Sequence, residues 1–381
     1  MMPSLKNESH NEKKLFHANK NKIAIFGSEL APRFNEATAK KMKTLSDNLG
    51  YDVCTVNYNM GRRPYYSKGQ YHVFNGWLSY KDVPLISFLY RSLVGFFFIF
   101  NSRKYDLIIL SGGLYSPLLR VLDPKKCIVY VTSAPSNNEK ESNAISKVIG
   151  RVKGFIVETS KGAKYLESQG IPTEKILNIF PIIDEYKNIS SPPPHPPFKL
   201  LFASSPRKTI TRREVYIERG IPLLLEAASI LHKKYDITLT MLWRTDFYDR
   251  VIKDINIKGL TEYISVIDEE VDIYPYIESH HAVIIPYQTL NGALDYPLSA
   301  LESIKEGRPA VSTLISPIAG LIKASGCGTV SGSNTAQGLA EAIELCIKNY
   351  DDIIYSCKNN DFDKESESNF VNIDRFLNEI L

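Results

Sequence analysis

Between His281 and Gly320 the chain reads HAVIIPYQTLNGALDYPLSALESIKEGRPAVSTLISPIAG, and no other stretch limits the fold as tightly. AVIIP is an uncharged, β-branched run, which belongs in a strand covered on both faces, as in a parallel sheet. QTLNGALDY is polar and contains glycine, so it is a loop at that strand's carboxyl end. Pro297 marks the first turn of a helix, where its missing N–H is no loss and its φ is already helical. Leu298, Leu301 and Ile304 supply an apolar face, and Gly307 with Pro309 ends the helix. PAVST is the next strand. A strand–helix–strand unit of this kind commits the chain to an α/β fold with parallel strands.

Loops at the carboxyl edge of such a sheet are where open α/β proteins bind ligands. The first amides of the helix, at Leu298 and Ser299, suit a diphosphate together with the positive end of the helix dipole. Glu302 lies one turn further on the side of Leu298, where a carboxylate can accept hydrogen bonds from a ribose. A solvated glutamate after an ordinary loop accounts for this pattern equally well.

At 381 residues the chain is too long for one ordinary core, which implies two domains. A hydrophobic share of 44% and a charged share of 23% are those of a globular protein. The net charge of +4 is mild, and no basic helix interleaved with aromatics reads as a nucleic-acid binder, so no nucleic-acid partner is expected. Five widely spaced cysteines without a CxxC fit free thiols in a reducing compartment and no metal site. Residues 1–21 are polar and basic without an apolar centre; they read as a disordered tail rather than a secretory signal, with attraction to anionic lipid as the second reading.

KIAIFGS is a first strand, ELAPRFNE a loop, and ATAKKMKTLSDNLG a helix closed by Gly50, before the strand YDVCTVNY. The turn after the first strand lacks G-x-G-x-x-G, so no dinucleotide is assigned there. Glu29, Arg33, Asn35 and Glu36 stand at that strand's carboxyl edge and could face a cleft, although Asn35 could equally cap the helix. Residues 57–77 are basic and aromatic with glycine breaks. Pro84–Phe100 (PLISFLYRSLVGFFFIF) is 17 residues interrupted by Arg91, too short for a membrane span. It is either a core helix under the sheet or a helix lying in a membrane surface; flanking Arg62, Arg63, Lys81, Arg103 and Lys104 suit the second. The second reading would put peripheral membrane contact at 57–104. YDLIILSGG, KKCIVYVTSAP, GFIVETS and KILNIFPIID read as strands, with helices at LYSPLLRVL and SKGAKYLESQG. SSPPPHPP is a semi-rigid linker. After it come the strand FKLLFASS, the basic loop SPRKTITRREVYIERG and the helix IPLLLEAASILHKKY. Further strands and helices lead to a last helix, NFVNIDRFLNEIL.

This order of signals resembles the retaining GT-B glycosyltransferases, specifically glycosyltransferase family 4. FASSPRK and ERGIPLLLEAA look like the family's basic phosphate-binding loop and the helix after it. YPLSALESIKEGRPAVST resembles its signature, with Glu302 at the second glutamate; NIFPIID, ending in Asp184, looks like the family's segment at the end of the first domain, and SPIAG, ending at Gly320, like the glycine loop that follows the signature. The family's first glutamate falls on Leu294 here, with Asp295 beside it as a substitute toward sugar hydroxyls or as a helix cap. The strand ending YVTSAP lacks the family's frequent histidine and leaves Thr132 and Ser133.

The resemblance implies two doubly wound Rossmann-like domains facing a cleft: an acceptor-binding domain at 22–190, a linker at 191–197, and a nucleotide-sugar-binding domain at 198–365. A C-terminal helix at 366–381 is expected to return to the first domain. It implies Arg207, Arg219 and Asp295 as catalytic residues, with Lys208, Tyr296, Pro297, Leu298, Ser299 and Glu302 on the nucleotide sugar. Lys208, Arg212 and Arg213 are near rivals for the phosphate contact, and a solvated charge run is the bland account of that loop. Glu29, Arg33, Asn35 and Ser133 would line the acceptor side. The expected donor is a UDP-sugar, with a GDP-sugar second; no cofactor or metal is expected. The acceptor would be a glycan or lipid-linked glycan, and the location cytoplasmic, including the inner face of the cell membrane. A nucleotide-sugar epimerase or hydrolase, and a catalytically silent sugar-nucleotide-binding partner, are the alternatives on the same architecture.

Overall fold

Two parallel sheets organise the molecule. The computed structural model describes residues 22–28, 30, 37–57, 71–75, 84–111, 113–133, 149–183, 190–204, 214–243, 247–269, 271–290 and 294–381. The first domain contains β1 (Ile23–Ser28), α1 (Ala37–Leu49), β2 (Asp52–Asn57), β3 (Tyr71–Asn75), α2 (Pro84–Ser102), β4 (Leu107–Leu110), β5 (Cys127–Val131), β6 (Gly154–Val157), α3 (Ser160–Ser168) and β7 (Ile176–Asn178). Its strands are ordered β3-β2-β1-β4-β5-β6-β7, all parallel.

The second domain contains β8 (Phe198–Phe202), α4 (Val215–Glu218), α5 (Ile221–Leu231), β9 (Ile237–Leu242), α6 (Tyr248–Ile257), β10 (Ile264–Ile267), α7 (Tyr274–Ser279) and β11 (Ala282–Ile285). It continues through α8 (Leu298–Lys305), β12 (Ala310–Ser312), α9 (Ile318–Ser325), β13 (Gly328–Val330), α10 (Ala336–Lys348) and α11 (Tyr350–Lys358), and α12 (Phe362–Ile380) closes the chain. The second sheet runs β10-β9-β8-β11-β12-β13, again all parallel. Each sheet therefore reverses its winding once, between β1 and β4 in the first and between β8 and β11 in the second. A crevice opens beyond the strand ends at such a reversal, and ligands bind there.

Both faces of the first sheet are covered, which is why its strands carry no Lys, Arg or Glu and only one Asp, at the start of β2. Ala24 and Phe26 of β1 pack with Phe98 of α2 on one face; Ile23 and Ile25 pack with Met42 and Leu45 of α1 on the other. Gly27 lies at the reversal, where a Cβ would meet the Ser111 hydroxyl at 2.0 Å. The last helix crosses between the domains. Phe362 belongs to the second core and packs at a tilt against Phe180, while Ile373, Phe376 and Leu377 fill the α1 face of the first sheet. At the crossing, Asn369 Nδ2 donates to the Phe180 carbonyl at 2.6 Å and its Oδ1 accepts from the Phe180 amide at 3.2 Å.

Several local expectations are corrected. LYSPLLRVL forms two short 3-10 turns, Gly113–Tyr115 and Pro117–Arg120, because Pro117 cannot continue a helix begun before it. Tyr71–Asn75, within the aromatic stretch 57–77 to which the sequence assigns no element, is an edge strand on β2. The final helix starts at Phe362, ahead of the expected NFVNIDRFLNEIL. Pro297 is the N-cap of α8 rather than its first turn. SPIAG is no glycine loop: Gly320 sits inside α9.

The proline-rich linker is bolted to the second domain. Arg308 is buried and donates to the Ser190 carbonyl at 3.2 Å, the Ser190 hydroxyl at 3.0 Å and the Ser191 carbonyl at 3.1 Å. His281 accepts from the Lys199 amide at Nδ1 (2.8 Å), so Nε2 carries the hydrogen given to the Pro193 carbonyl at 3.0 Å.

Candidate active site

The reversal in the second sheet brings together Ser204, just beyond β8, and Tyr287, just beyond β11. Arg219 bridges them. Its Nη1 donates to Ser204 Oγ at 3.1 Å, its guanidinium lies 5.1 Å from the centre of the Tyr287 ring, and the two hydroxyls hydrogen-bond each other. Arg219 is only 9% exposed. The local fold that holds it there depends on Gly220, in the left-handed region with φ 73°. A Cβ at Gly220 would fall 1.7 Å from the Pro286 carbonyl oxygen, so only glycine permits this approach of the α4–α5 turn to the end of β11. The Glu218 carbonyl closes the same contact by accepting from the Gln288 amide at 2.9 Å.

The loop after β11 feeds α8. Its intrahelical bonds begin with Ala300 N–H to the Pro297 carbonyl at 3.0 Å, so the Leu298 and Ser299 amides precede them at the positive end of the helix. Both residues are buried. Glu302, 2% exposed, accepts from Lys40 Nζ at 2.8 Å and from the Tyr274 hydroxyl at 3.4 Å. Lys40 belongs to α1, so the first domain reaches across to the carboxylate that a ribose is expected to take. The Lys40 ammonium also lies 4.9 Å from the centre of the Tyr274 ring.

Asp295 is buried between the domains. Its Oδ2 accepts from the Thr159 hydroxyl at 3.1 Å, and its carbonyl accepts from Ser316 Oγ at 3.2 Å. The N-cap residue of α8, Pro297, makes no side-chain cap hydrogen bond. Thr159 itself caps α3, accepting from the Gly162 amide at 3.0 Å. One residue earlier, Glu158 is buried with Lys41 of α1 (Nζ to Oε1 2.7 Å) and accepts from the Tyr130 hydroxyl at 2.7 Å. The half-buried Tyr296 hydroxyl has its pKa raised, first by burial and then by the Asp295 and Glu158 carboxylates, so it stays a neutral donor. Burial and Glu158 likewise hold the Tyr130 phenol protonated. A groove of about 380 Å³ opens beside this centre, lined by Lys161 of α3 together with Leu290, Ser316, Pro317, Gly320 and Lys323.

The structure thus gathers Arg219, Asp295, Tyr296, Pro297, Leu298, Ser299 and Glu302 at the carboxyl edge of the second sheet and its junction with the first domain. Ser133 is half-buried, two residues past β5, at the carboxyl edge of the first sheet. Glu29, Arg33, Asn35, Asp184, Arg207, Lys208, Arg212 and Arg213 lie outside the described residues, as does the tail 1–21. Sequence reading missed Lys40, Lys41, Glu158, Thr159, Tyr274 and Tyr287. One signal was available: Lys41 is in register with Leu45 and Leu49 on the apolar stripe of α1, and a lysine there needs a buried partner. Among the described residues no group of three or more His, Cys, Asp or Glu could hold a metal ion.

Residues 209–349 match the family described as glycosyl transferases group 1. No curated protein matches the sequence. Several solved structures share the fold. The Anabaena HepE protein in complex with UDP and glucose is 14% identical, with a TM-score of 0.64 over 94% of this chain and 98% of that one. Sucrose-phosphate synthase from Thermosynechococcus elongatus gives 12% and 0.68 over 95% and 99%. A point mutant of S. aureus TarM, in complex with fondaparinux, α-GlcNAc-glycerol and UDP, gives 13% and 0.67 over 94% and 99%. These likenesses establish the architecture as the two-domain GT-B fold.

Proposed function

We propose that the protein is a retaining glycosyltransferase of family 4 type, which moves a sugar from a nucleotide diphosphate sugar to a glycan or lipid-linked glycan. One observation carries the reading: a buried arginine spans the crevice between β8 and β11, on the sheet edge from which α8 starts. Departure of a nucleoside diphosphate builds negative charge on its phosphates, and prearranged cations and amides there are the largest help a protein can give. Arg219 is held by Ser204 and Tyr287 before the donor arrives, so its guanidinium needs little reorganisation to make a forked phosphate contact. The Leu298 and Ser299 amides add the second half of the grip.

Glu302 receives ribose hydroxyls in this reading, and Lys40 must then share or yield its carboxylate. Asp295 addresses the sugar hydroxyls from the floor of the cleft, oriented by Thr159. Arg207 and Lys208 add cation density at the phosphates, and Glu29, Arg33, Asn35 and Ser133 belong to the acceptor side. The acceptor attacks the face the diphosphate leaves, and the departing phosphate oxygen takes the acceptor's proton, so the stereochemistry is retained without an enzymic nucleophile. No metal is assigned a role. UDP in complexes of the similar Anabaena and S. aureus proteins supports a UDP-sugar donor, with a GDP-sugar second. The product would be a surface polysaccharide or glycoconjugate made at the cytoplasmic face of a membrane. Among the described residues no helix is long and apolar enough to cross one.

A panel of UDP- and GDP-sugars read by thermal shift, followed by product analysis, tests the reading. One donor should raise the melting temperature, by the equivalent of about 2.7 kcal/mol at a hundredfold excess over its dissociation constant. It should then yield free nucleoside diphosphate and a product of unchanged anomeric configuration. An epimerised donor, or binding without turnover, would move the assignment to the two alternatives. Absence of any shift would remove the donor site.

A further inference from the structure

Among the described side chains, helix α2 presents one apolar face to the core and a second that is exposed. Inward, Phe98 packs on Phe26 at 5.5 Å between ring centres and Phe97 on Phe74 at 5.5 Å. Outward, Leu93, Phe96 and Phe100 are 57%, 67% and 64% exposed. Their spacing of three and then four residues sets them in one stripe along the helix. Three large apolar side chains at such exposure, side by side, are unlike the scattered surface hydrophobics of an ordinary soluble domain.

The charge around the stripe indicates what covers it. From Pro84 to Lys104 the chain holds Arg91, Arg103 and Lys104 and no carboxylate. Arg103 and Lys104 are exposed at the carboxyl end of the helix. The Lys104 ammonium lies 5.7 Å from the centre of the Phe100 ring and donates to Asn101 Oδ1 at 3.0 Å, so its stem runs along the stripe while its charge stays at the rim. A narrow apolar band edged by cations fits the boundary between acyl chains and anionic headgroups. A protein partner would call for a broader patch, of roughly 800 Å² on each side. The helix packs on the face of the first sheet opposite α1, the helix that carries Lys40 to Glu302. A surface seated on α2 therefore leaves the cleft open.

We propose that Leu93, Phe96 and Phe100, with Arg103 and Lys104, form a docking face for an anionic lipid bilayer, on which α2 lies in the membrane plane without crossing it. This names the surface through which the proposed transferase reaches a lipid-linked acceptor, yet the binding itself does not require transferase activity.

The test is flotation of the full chain with vesicles of phosphatidylcholine alone and with added phosphatidylglycerol. Wild-type protein should float with the anionic vesicles, and much less with neutral ones. The triple variant Leu93→Ser, Phe96→Ser, Phe100→Ser should lose at least about tenfold in bound fraction, since interfacial binding scales with buried apolar area. Its thermal shift with UDP should match wild type, which separates lost docking from lost folding. In a second probe, Phe96→Trp should shift its emission to the blue on addition of anionic vesicles. The proposal is overturned if wild type stays unbound, if the triple variant floats equally, or if light scattering shows a dimer that Phe96→Ser dissolves. A protein that floats as expected but transfers no sugar would leave the docking face standing and remove the transferase reading alone.

Discussion

Lys40 Nζ of the first domain lies 2.8 Å from the Glu302 carboxylate of the second, in a contact that is almost dry on the glutamate side. The domain edges therefore meet through an ion pair placed where the donor's ribose is proposed to bind. Removing one partner leaves the other's charge less compensated in a buried contact, whereas removing both does not. Lys40→Met and Glu302→Gln should each destabilise the protein by about 2–4 kcal/mol in urea unfolding. The double variant should lose less than their sum, with a coupling of about 1–3 kcal/mol.

A second, fully buried pair stands beside it. Lys41 and Glu158 are both inaccessible, and Tyr130 donates to the same carboxylate. Glu158→Gln leaves the Lys41 ammonium in the core and should cost about 3–5 kcal/mol in unfolding free energy. The combination Lys41→Met with Glu158→Gln should recover part of that loss, as calorimetry would show.

Gly220 fixes the approach of Arg219 to β11. Its left-handed φ and the Pro286 carbonyl 1.7 Å from an added Cβ leave no room for alanine. Gly220→Ala should destabilise by roughly 2–4 kcal/mol. It should weaken UDP binding as well, because the α4–α5 turn must move away from Tyr287. Gly170→Ala supplies the control, since φ there is also positive (80°) but an added Cβ meets nothing within 4 Å. That variant should leave nucleotide binding unchanged.

Acid should loosen the bolted linker. Burial lowers the His281 pKa from 6.5 to about 4, and neighbouring His195, Lys199 and Arg308 push the same way against the Pro193 contact. The folded chain thus keeps this imidazole neutral where the unfolded chain protonates it. The stability it contributes is complete above about pH 6.5 and is lost as the pH falls toward about 4. Melting temperature should decline across that window, and less steeply in His281→Gln. Part of the slope should remain, since burial lowers the His280 pKa too.

Much of this was legible locally. Uncharged runs such as AVIIP and GFIV announced covered parallel strands, and the order of strands and helices announced two doubly wound domains. The ERG sequence placed Arg219 before a glycine, and the YPLSALE sequence placed Glu302 one turn into a helix. What stayed hidden depends on distance in sequence. Lys40 and Glu302 are 262 residues apart, and periodicity tells which face of a helix is buried, not which remote group meets it. The same holds for Thr159 and Asp295, 136 residues apart. Tyr71–Asn75 escaped because an edge strand of five residues carries no long apolar run. For α2, sequence offered a core helix or a membrane helix; the structure shows a core face and an exposed face on one element.

Titration calorimetry with UDP, on wild type and on Arg219→Ala, tests the central claim most directly. A single site should be seen in wild type, weakened in the variant by on the order of a hundredfold, or about 2–3 kcal/mol, as expected for loss of a buried charge-assisted contact. Equal affinity in the two proteins, or no heat from wild type with either UDP or GDP, would contradict the assignment of the β8–β11 crevice to a nucleoside diphosphate.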